Sequence, residues 1–150
     1  MNKRINPQFE IEIDAPVEDV WKVLVQLDKY PQWNSNIQFN SGEAVQGETV
    51  LMSVKFFGLI IKLPVVFEVV EKNRELRWCG CLRWLMCGHH YFKIEAVNQE
   101  NTATKLIQGE TFHGIGLPIL WTIIKKQLMN LYDDSNQAIK KRAELLIKQP

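Results

Sequence analysis

His90, Gln108 and Glu110 are the side chains of this sequence best suited to chemistry, although they lie apart along the chain. A tight connection around Gln99–Asn101 folds the residues on either side of it into a hairpin. The register set by that turn puts His90 opposite Glu110, Phe92 opposite Gln108, Ile94 opposite Leu106 and Ala96 opposite Thr104. Directly opposed side chains stand about 5 Å apart at Cβ. An imidazole beside a carboxylate in an apolar interior would hold its proton or fix one tautomer, as an acid or base near neutral pH requires. Three roles are open to the pair: catalysis, anchoring a polar atom of a ligand, or a satisfied polar contact that stiffens the sheet. Gln108, and Thr104 nearer the turn, add hydrogen-bonding groups on the same face. A slip of one residue would turn the whole set to solvent.

The rest of that face is apolar (Phe92, Ile94, Ala96, Leu106 and Phe112), whereas Lys93, Glu95 and Lys105 fall on the solvent face. Trp78 and Phe112 face inward by the same alternation and fit a cavity wall or plain core equally well. With 83 paired to 87, Cys81 faces His89 on the outer face and Cys87 lies diagonal to it. Two thiols and an imidazole are zinc-type ligands, but on a convex surface with no fourth partner no metal is expected. No cofactor is expected either. The sequence carries no Gly-rich phosphate cradle, no Gly-x-Ser-x-Gly elbow and no Cys/His pair at catalytic spacing.

The elements that must position these groups are legible from periodicity. Apolar and polar residues alternate over a first strand at 9–13. Pro16 opens a helix with Asp14 or Ala15 as cap and Glu18 and Asp19 in its first turn. Val17, Val20, Trp21, Leu24 and Leu27 form its buried face, and Pro31 ends it. Trp33 falls in the core on a short second helical turn or loop, followed by Asn34 in a turn. Strands follow at 36–45, 48–57, 62–72, 75–83, 87–98 and 102–113, with turns at 46–47, 58–61, 73–74, 84–86 and 99–101. Gly116 and Pro118 open a last helix of about 30 residues, about 45 Å long. Leu117, Leu120, Trp121, Ile124, Leu128, Leu131, Ser135, Ala138 and Arg142 mark one stripe along it. The fold class is α+β: seven antiparallel strands, two short helices after the first strand, and a long C-terminal helix.

Successive turns of a meander alternate between the two ends of the sheet. One end collects 46–47, 73–74 and 99–101, all polar. The other collects Phe56–Ile61, Leu82–Met86 and Ile115–Trp121, all apolar. Apolar connections gathered at one edge mark a ligand mouth, a membrane contact or a protein interface. Cover by the first turns of the last helix is the plain structural alternative. Phe57, Leu59, Ile60, Trp84, Leu85, Met86 and Leu117 are the expected gate residues. Trp121 at the mouth would close over a ligand or enter an interface. Lys125, Lys126 and 140–142 read as solvated helix, with a weak, transient attraction to an anionic membrane as the alternative.

With 150 residues, 46% of them hydrophobic, and a net charge of +1, the chain suits one domain, 1–150, burying roughly 70% of its unfolded surface. Neither disorder nor a nucleic-acid partner fits that balance. The opening Met-Asn-Lys-Arg-Ile-Asn-Pro lacks the apolar core of a signal peptide. The most apolar run, 114–124, falls short of the roughly 20 residues that a membrane span needs. Three cysteines, with a Cys79-Gly-Cys81 spacing that suits neither zinc nor redox chemistry, point to reduced thiols in a cytoplasm.

Taken together, Ile13-Asp-Ala-Pro-Val-Glu-Asp-Val-Trp21, Tyr30-Pro-Gln-Trp-Asn34, Trp78-Cys-Gly80, His90-Tyr-Phe92 and Glu110-Thr-Phe-His-Gly114 carry a family resemblance. Over nearly its whole length the chain resembles the START-related polyketide cyclase/dehydrase and lipid-transport superfamily (SRPBCC). The resemblance implies the pollen-allergen-like helix-grip fold: a seven-stranded antiparallel sheet wrapped around a long C-terminal helix, with a cavity gated at 57–61 and 83–86. That superfamily includes lipid carriers, hormone receptors, coenzyme Q-binding proteins and aromatase/cyclases, so the fold does not settle the function. The expected function is binding of a hydrophobic small molecule or lipid, for transport or sensing. The alternative is a cyclase- or dehydrase-like enzyme with His90 and Glu110 as catalytic candidates. The ligand would enter past 57–61, 83–86 and 115–121 and rest against Val54, Phe67, Trp78, Phe92, Leu106, Phe112 and Trp121. His90, Gln108 and Glu110 would orient it.

Overall fold

The structure, a computed structural model, describes residues 3–148. The elements run β1 (Gln8–Ile13), α1 (Val17–Val25), a 3-10 turn (Leu27–Lys29), α2 (Tyr30–Trp33), β2 (Ile37–Phe39), β3 (Thr49–Phe56), β4 (Leu59–Glu71), β5 (Glu75–Leu82), β6 (Met86–Ala96), β7 (Thr104–His113) and α3 (Leu117–Ile147). The strands make one antiparallel sheet in the order β1-β7-β6-β5-β4-β3-β2. Strands β2 to β7 each lie beside their neighbours in sequence, as short connections favour, and β1 pairs with β7. α3 packs across the inner face, against α1, β1 and β7. This is the helix-grip architecture expected above.

Several local readings are corrected. The cap of α1 is not Asp14 or Ala15 but the distant Asn101, which sits at φ 51 in the β6–β7 turn. Its side-chain oxygen accepts the Val17 N–H at 3.1 Å, and its amide donates to Glu18 at 2.7 Å. Pro31 does not end α1, which stops at Val25; it stands in the first turn of α2, where a missing N–H breaks no helical bond. β2 spans Ile37–Phe39 rather than 36–45, because the chain leaves the sheet through Asn40, Ser41 and Gly42. Gly42 has a φ of 96, and a Cβ there would collide with Val50. The turn placed at 58–61 is the two-residue pair Phe57-Gly58, with φ of 50 and 74, so Leu59–Ile61 belong to the ladder with β3. β5 begins pairing with β4 only at Val65, which leaves the β3–β4 hairpin projecting beyond it.

The β6–β7 register is the expected one: His90↔Glu110, Phe92↔Gln108, Ile94↔Leu106 and Ala96↔Thr104. The β5–β6 register is not. Arg83 adopts a φ of 50, the turn closes at Leu82↔Met86, and Cys79, not Cys81, stands opposite His89. A shift of two residues keeps every side chain on its face, so Trp78 remains inside and directly opposes His90.

Two apolar clusters result. The larger, with Val20, Leu24, Tyr30, Phe67, Leu76, Phe92, Leu106 and Ile139, joins α1 and the second half of α3 to the sheet. The smaller joins Phe112 to Leu117, Leu128, Leu131 and Tyr132. The buried stripe of α3 is Leu117, Leu128, Leu131, Tyr132, Ser135, Asn136, Ile139 and Ala143. A stripe traced in steps of three and four residues drifts by about 20° per heptad against the true helical period. That drift leaves Ala138 and Arg142 half-exposed and brings Tyr132 inside. No helix among the described residues is long and apolar enough to cross a membrane.

Candidate functional site

A cavity of about 420 Å³ lies between the sheet and the first half of α3. Met52, Val54, Phe56, Leu63, Trp78, Met86 and Phe112 of the strands form its wall, with Leu120, Ile124, Leu128 and Leu131 of α3. Lys62 and Arg83 border it near the β3–β4 and β5–β6 turns, while His90, Glu110 and Tyr132 form a polar inner end. That end exists because β6 and β7 pair in the one register that turns His90, Gln108 and Glu110 inward together.

The polar groups are connected. Glu110 Oε2 accepts a hydrogen bond from the Tyr132 hydroxyl and faces His90 Nδ1 at 3.5 Å. Gln108 Nε2 donates to His90 Nε2 at 3.3 Å. With the amide in this orientation Nε2 is the acceptor, and a neutral His90 then carries its proton on Nδ1, directed at the carboxylate. At 3.5 Å that contact is a weak, charge-oriented one. The imidazole lies flat on Trp78, with centroids 4.6 Å apart and planes 22° apart, and Phe92 and Tyr132 close its other sides. Gln108 is fully buried and its Oε1 has no partner; turning the amide over would offer that oxygen to a protonated Nε2. Burial, then the Glu110 charge and the hydrogen bond to it, hold the Tyr132 phenol well above its ordinary pKa, so it stays a donor.

Both nitrogens of His90 thus face side-chain partners, Gln108 at 3.3 Å and Glu110 at 3.5 Å. The carboxylate keeps one oxygen free: Oε1 accepts no hydrogen bond from the described residues. Gly88 makes room for it, because a Cβ at that position would overlap Oε1. Glu110 thus presents a carboxylate, backed by a phenol, at the end of an apolar wall. That arrangement can hold a hydroxyl or N–H, or take a proton from one.

Of the expected ligand contacts, Val54, Trp78, His90, Glu110 and Phe112 line the cavity, and Gln108 stands behind His90. Phe67, Phe92 and Leu106 lie in the core away from its surface. Trp121 packs on Phe112 at 5.9 Å. Among the gate residues Met86 lines the cavity, whereas Phe57, Leu59, Ile60 and Trp84 stand exposed around it. Leu85 ties the β5–β6 turn to α3 by accepting the Gly116 N–H at 2.9 Å. Leu117 is fully buried and anchors the helix. The sequence reading missed Tyr132, whose signal was its place one turn beyond Leu128.

On the outer face Cys81 and Cys87 form a disulfide, which corrects the expectation of three reduced thiols and removes both from any metal set. The register shift that makes them direct partners also brings Cys79 to His89. Glu68, Cys79 and His89 place ligand atoms within 4.8 Å of one another. His89 Nδ1 lies 2.9 Å from Glu68 Oε2, and its Nε2 lies 3.0 Å from His113 Nε2, with ring centroids 5.2 Å apart. The two rings thus meet head to head at hydrogen-bond distance. Burial, then Glu68 and Glu110, raise the Cys79 pKa above its ordinary value.

Residues 5–144 match the family model described as polyketide cyclase / dehydrase and lipid transport. No curated protein matches the chain in sequence. Among solved structures it is similar to a START superfamily protein from Mycobacterium smegmatis, with a TM-score of 0.75, 16% identity, and 94% of this chain and 98% of that one covered. It is similar to the Zhui aromatase/cyclase from a Streptomyces species, with a TM-score of 0.71, 13% identity, and 95% and 94% covered. It is also similar to norcoclaurine synthase from Thalictrum flavum, with a TM-score of 0.74, 12% identity, and 99% and 89% covered. At these identities the likeness speaks for the fold alone. The family match spans nearly the whole chain, and on it the protein belongs to the polyketide cyclase/dehydrase and lipid-transport family.

Proposed function

We propose that the protein binds an apolar small molecule or lipid in the cavity beneath α3, with one hydrogen-bond donor of the guest meeting Glu110. The observation that carries this reading is the free Glu110 Oε1 at the end of an otherwise apolar wall. A volume of about 420 Å³ falls in the range of small-molecule sites, roughly 300–1,000 Å³. A cavity of about 150 Å³ takes one benzene, so this one has room for two or three rings or a chain of similar volume. A guest hydroxyl or N–H would satisfy the carboxylate; a bare carbonyl would leave two acceptors facing each other. Carriage or sensing of such a guest is the role that fits, and the family supports the ligand class. The enzyme alternative, a cyclase or dehydrase, would use Glu110 as the base, since His90 has no free nitrogen.

Native mass spectrometry, followed by solvent extraction of what the protein carries, tests the reading. A stoichiometric apolar adduct with a hydroxyl or N–H is expected, held less tightly by Glu110→Gln. An adduct without a donor group, or unchanged affinity in that variant, refutes the assigned contact. Retained binding with lost turnover would move the reading to the enzyme.

A further inference from the structure

The apolar residues around the cavity are uncovered. Leu59 and Ile60 beyond the β3–β4 turn are 67% and 70% exposed, Trp84 in the β5–β6 turn 70%, and Ile115 and Ile119 at the start of α3 70% and 72%. Those exposures are ordinary for lysine and unusual for tryptophan and isoleucine. The three segments are distant in sequence and are gathered by the sheet topology at one end of the molecule. Exposed apolar side chains gathered at one edge mark a contact surface.

The charge around it has one sign. Segments 55–62, 82–86 and 115–129 contain Lys55, Lys62, Arg83, Lys125 and Lys126 and no acidic residue. None of the five joins an ion pair among the described residues. The whole chain carries a net charge of only +1, so the five cations here are segregated rather than diluted in a basic protein. A second copy of the same face would bring like charges together, which disfavours self-association. Apolar tips ringed by cations fit the boundary of an anionic bilayer, where the tips enter the headgroup layer and the cations meet phosphates.

We infer that this end of the protein docks on an anionic phospholipid surface, with Leu59, Ile60, Trp84 and Ile119 inserted and Lys62, Arg83, Lys125 and Lys126 against the lipid phosphates. The inference stands without the cavity reading, although docking in this pose would turn the cavity toward the membrane. Flotation with vesicles of phosphatidylcholine, alone or with about one third phosphatidylserine, tests it. The wild type is expected to bind the mixed vesicles and to release as salt rises and screening shortens from about 10 Å at 0.1 M to about 3 Å at 1 M.

Replacing Lys125 and Lys126 together by alanine should weaken binding about 25-fold, roughly fivefold for each basic residue at an anionic surface. Ile119→Ser, at a fully solvated position, should weaken it about tenfold or more. Alanines at Lys72 and Arg74, at the polar end, should change nothing. Absence of binding, equal binding to both vesicle types, or an equal loss from the Lys72 and Arg74 changes overturns the inference. Concentration-dependent association that Ile119→Ser abolishes, without vesicle binding, also overturns it and gives the face to a second copy.

Discussion

Replacing Tyr132 by phenylalanine removes one oxygen from the inner end of the cavity and leaves the ring, with its edge contact to Phe9 at 5.6 Å, in place. The lost hydroxyl belongs to a residue only 1% exposed and donates to Glu110, whose other contact is the long one to His90 Nδ1. A hydrogen bond to a charged group contributes about 1.5–3 kcal/mol. Glu110 has a side chain 15% exposed, so water reaching the vacated oxygen recovers part of that. We expect urea unfolding to show a loss of about 2 kcal/mol. For a chain of 150 residues this lowers Tm by about 4–8 °C, at roughly 2–4 °C per kcal/mol. A double-mutant cycle isolates the bond from the packing. With Glu110→Gln as the second change, the two losses should fall short of additive by about 1 kcal/mol, because in the Glu110→Gln background the phenol donates to a neutral acceptor. Additivity within about 0.3 kcal/mol, or a loss below about 0.5 kcal/mol for Tyr132→Phe, refutes the argument that this bond holds the carboxylate.

Two further outcomes follow from the same core. Burial raises the pKa of both Tyr30 and Tyr132, so the folded state keeps protons that the unfolded chain sheds near pH 10. Stability should be intact below about pH 10 and fall above it by about 1.4 kcal/mol per pH unit for each phenol; an unchanged alkaline slope in Tyr30→Phe denies its share. Gly88→Ala should push the Glu110 carboxylate aside and crowd Phe112, lowering stability by about 1–3 kcal/mol and weakening guest binding. Wild-type stability and affinity in that variant would show that the space at Gly88 is not what admits Oε1.

The inner end of the site was legible because parity, not detail, decides it. The Gln99–Asn101 turn fixes which residues of β6 and β7 face inward, and His90, Gln108 and Glu110 follow from that alone. The β5–β6 register was not legible. Arg83 takes a left-handed conformation without glycine or asparagine to announce it, and the two-residue shift this causes created the Cys81–Cys87 pair. The faces survived the shift, so Trp78 was placed correctly while the cysteines were not. Tyr132 escaped through helical drift rather than weak patterning. The long-range cap from Asn101 left no local trace, since a helix that borrows its cap from another turn looks uncapped in sequence.

The two ends of the molecule are held differently, and the difference bears on how a guest would enter. At the polar end Asn101 caps α1, the Asp14 N–H donates to Glu144 at 3.0 Å, Lys140 donates to the Glu12 carbonyl at 2.7 Å, and Thr104 donates to the Ala15 carbonyl at 2.7 Å. Those ties join β1, α1, β7 and the second half of α3, where Ile139 and Ala143 are fully buried. At the apolar end, Leu117 is buried, no residue from Pro118 to Gln127 is, and the Gly116–Leu85 backbone bond links α3 to the β5–β6 turn. Local opening is least costly where few apolar contacts and few hydrogen bonds must be broken. Separation of the first turns of α3 from the β3–β4 and β5–β6 turns therefore costs less than separation of its second half from α1 and β1. It would uncover the cavity from the side that carries Lys62 and Arg83, without disturbing the register that sets Glu110.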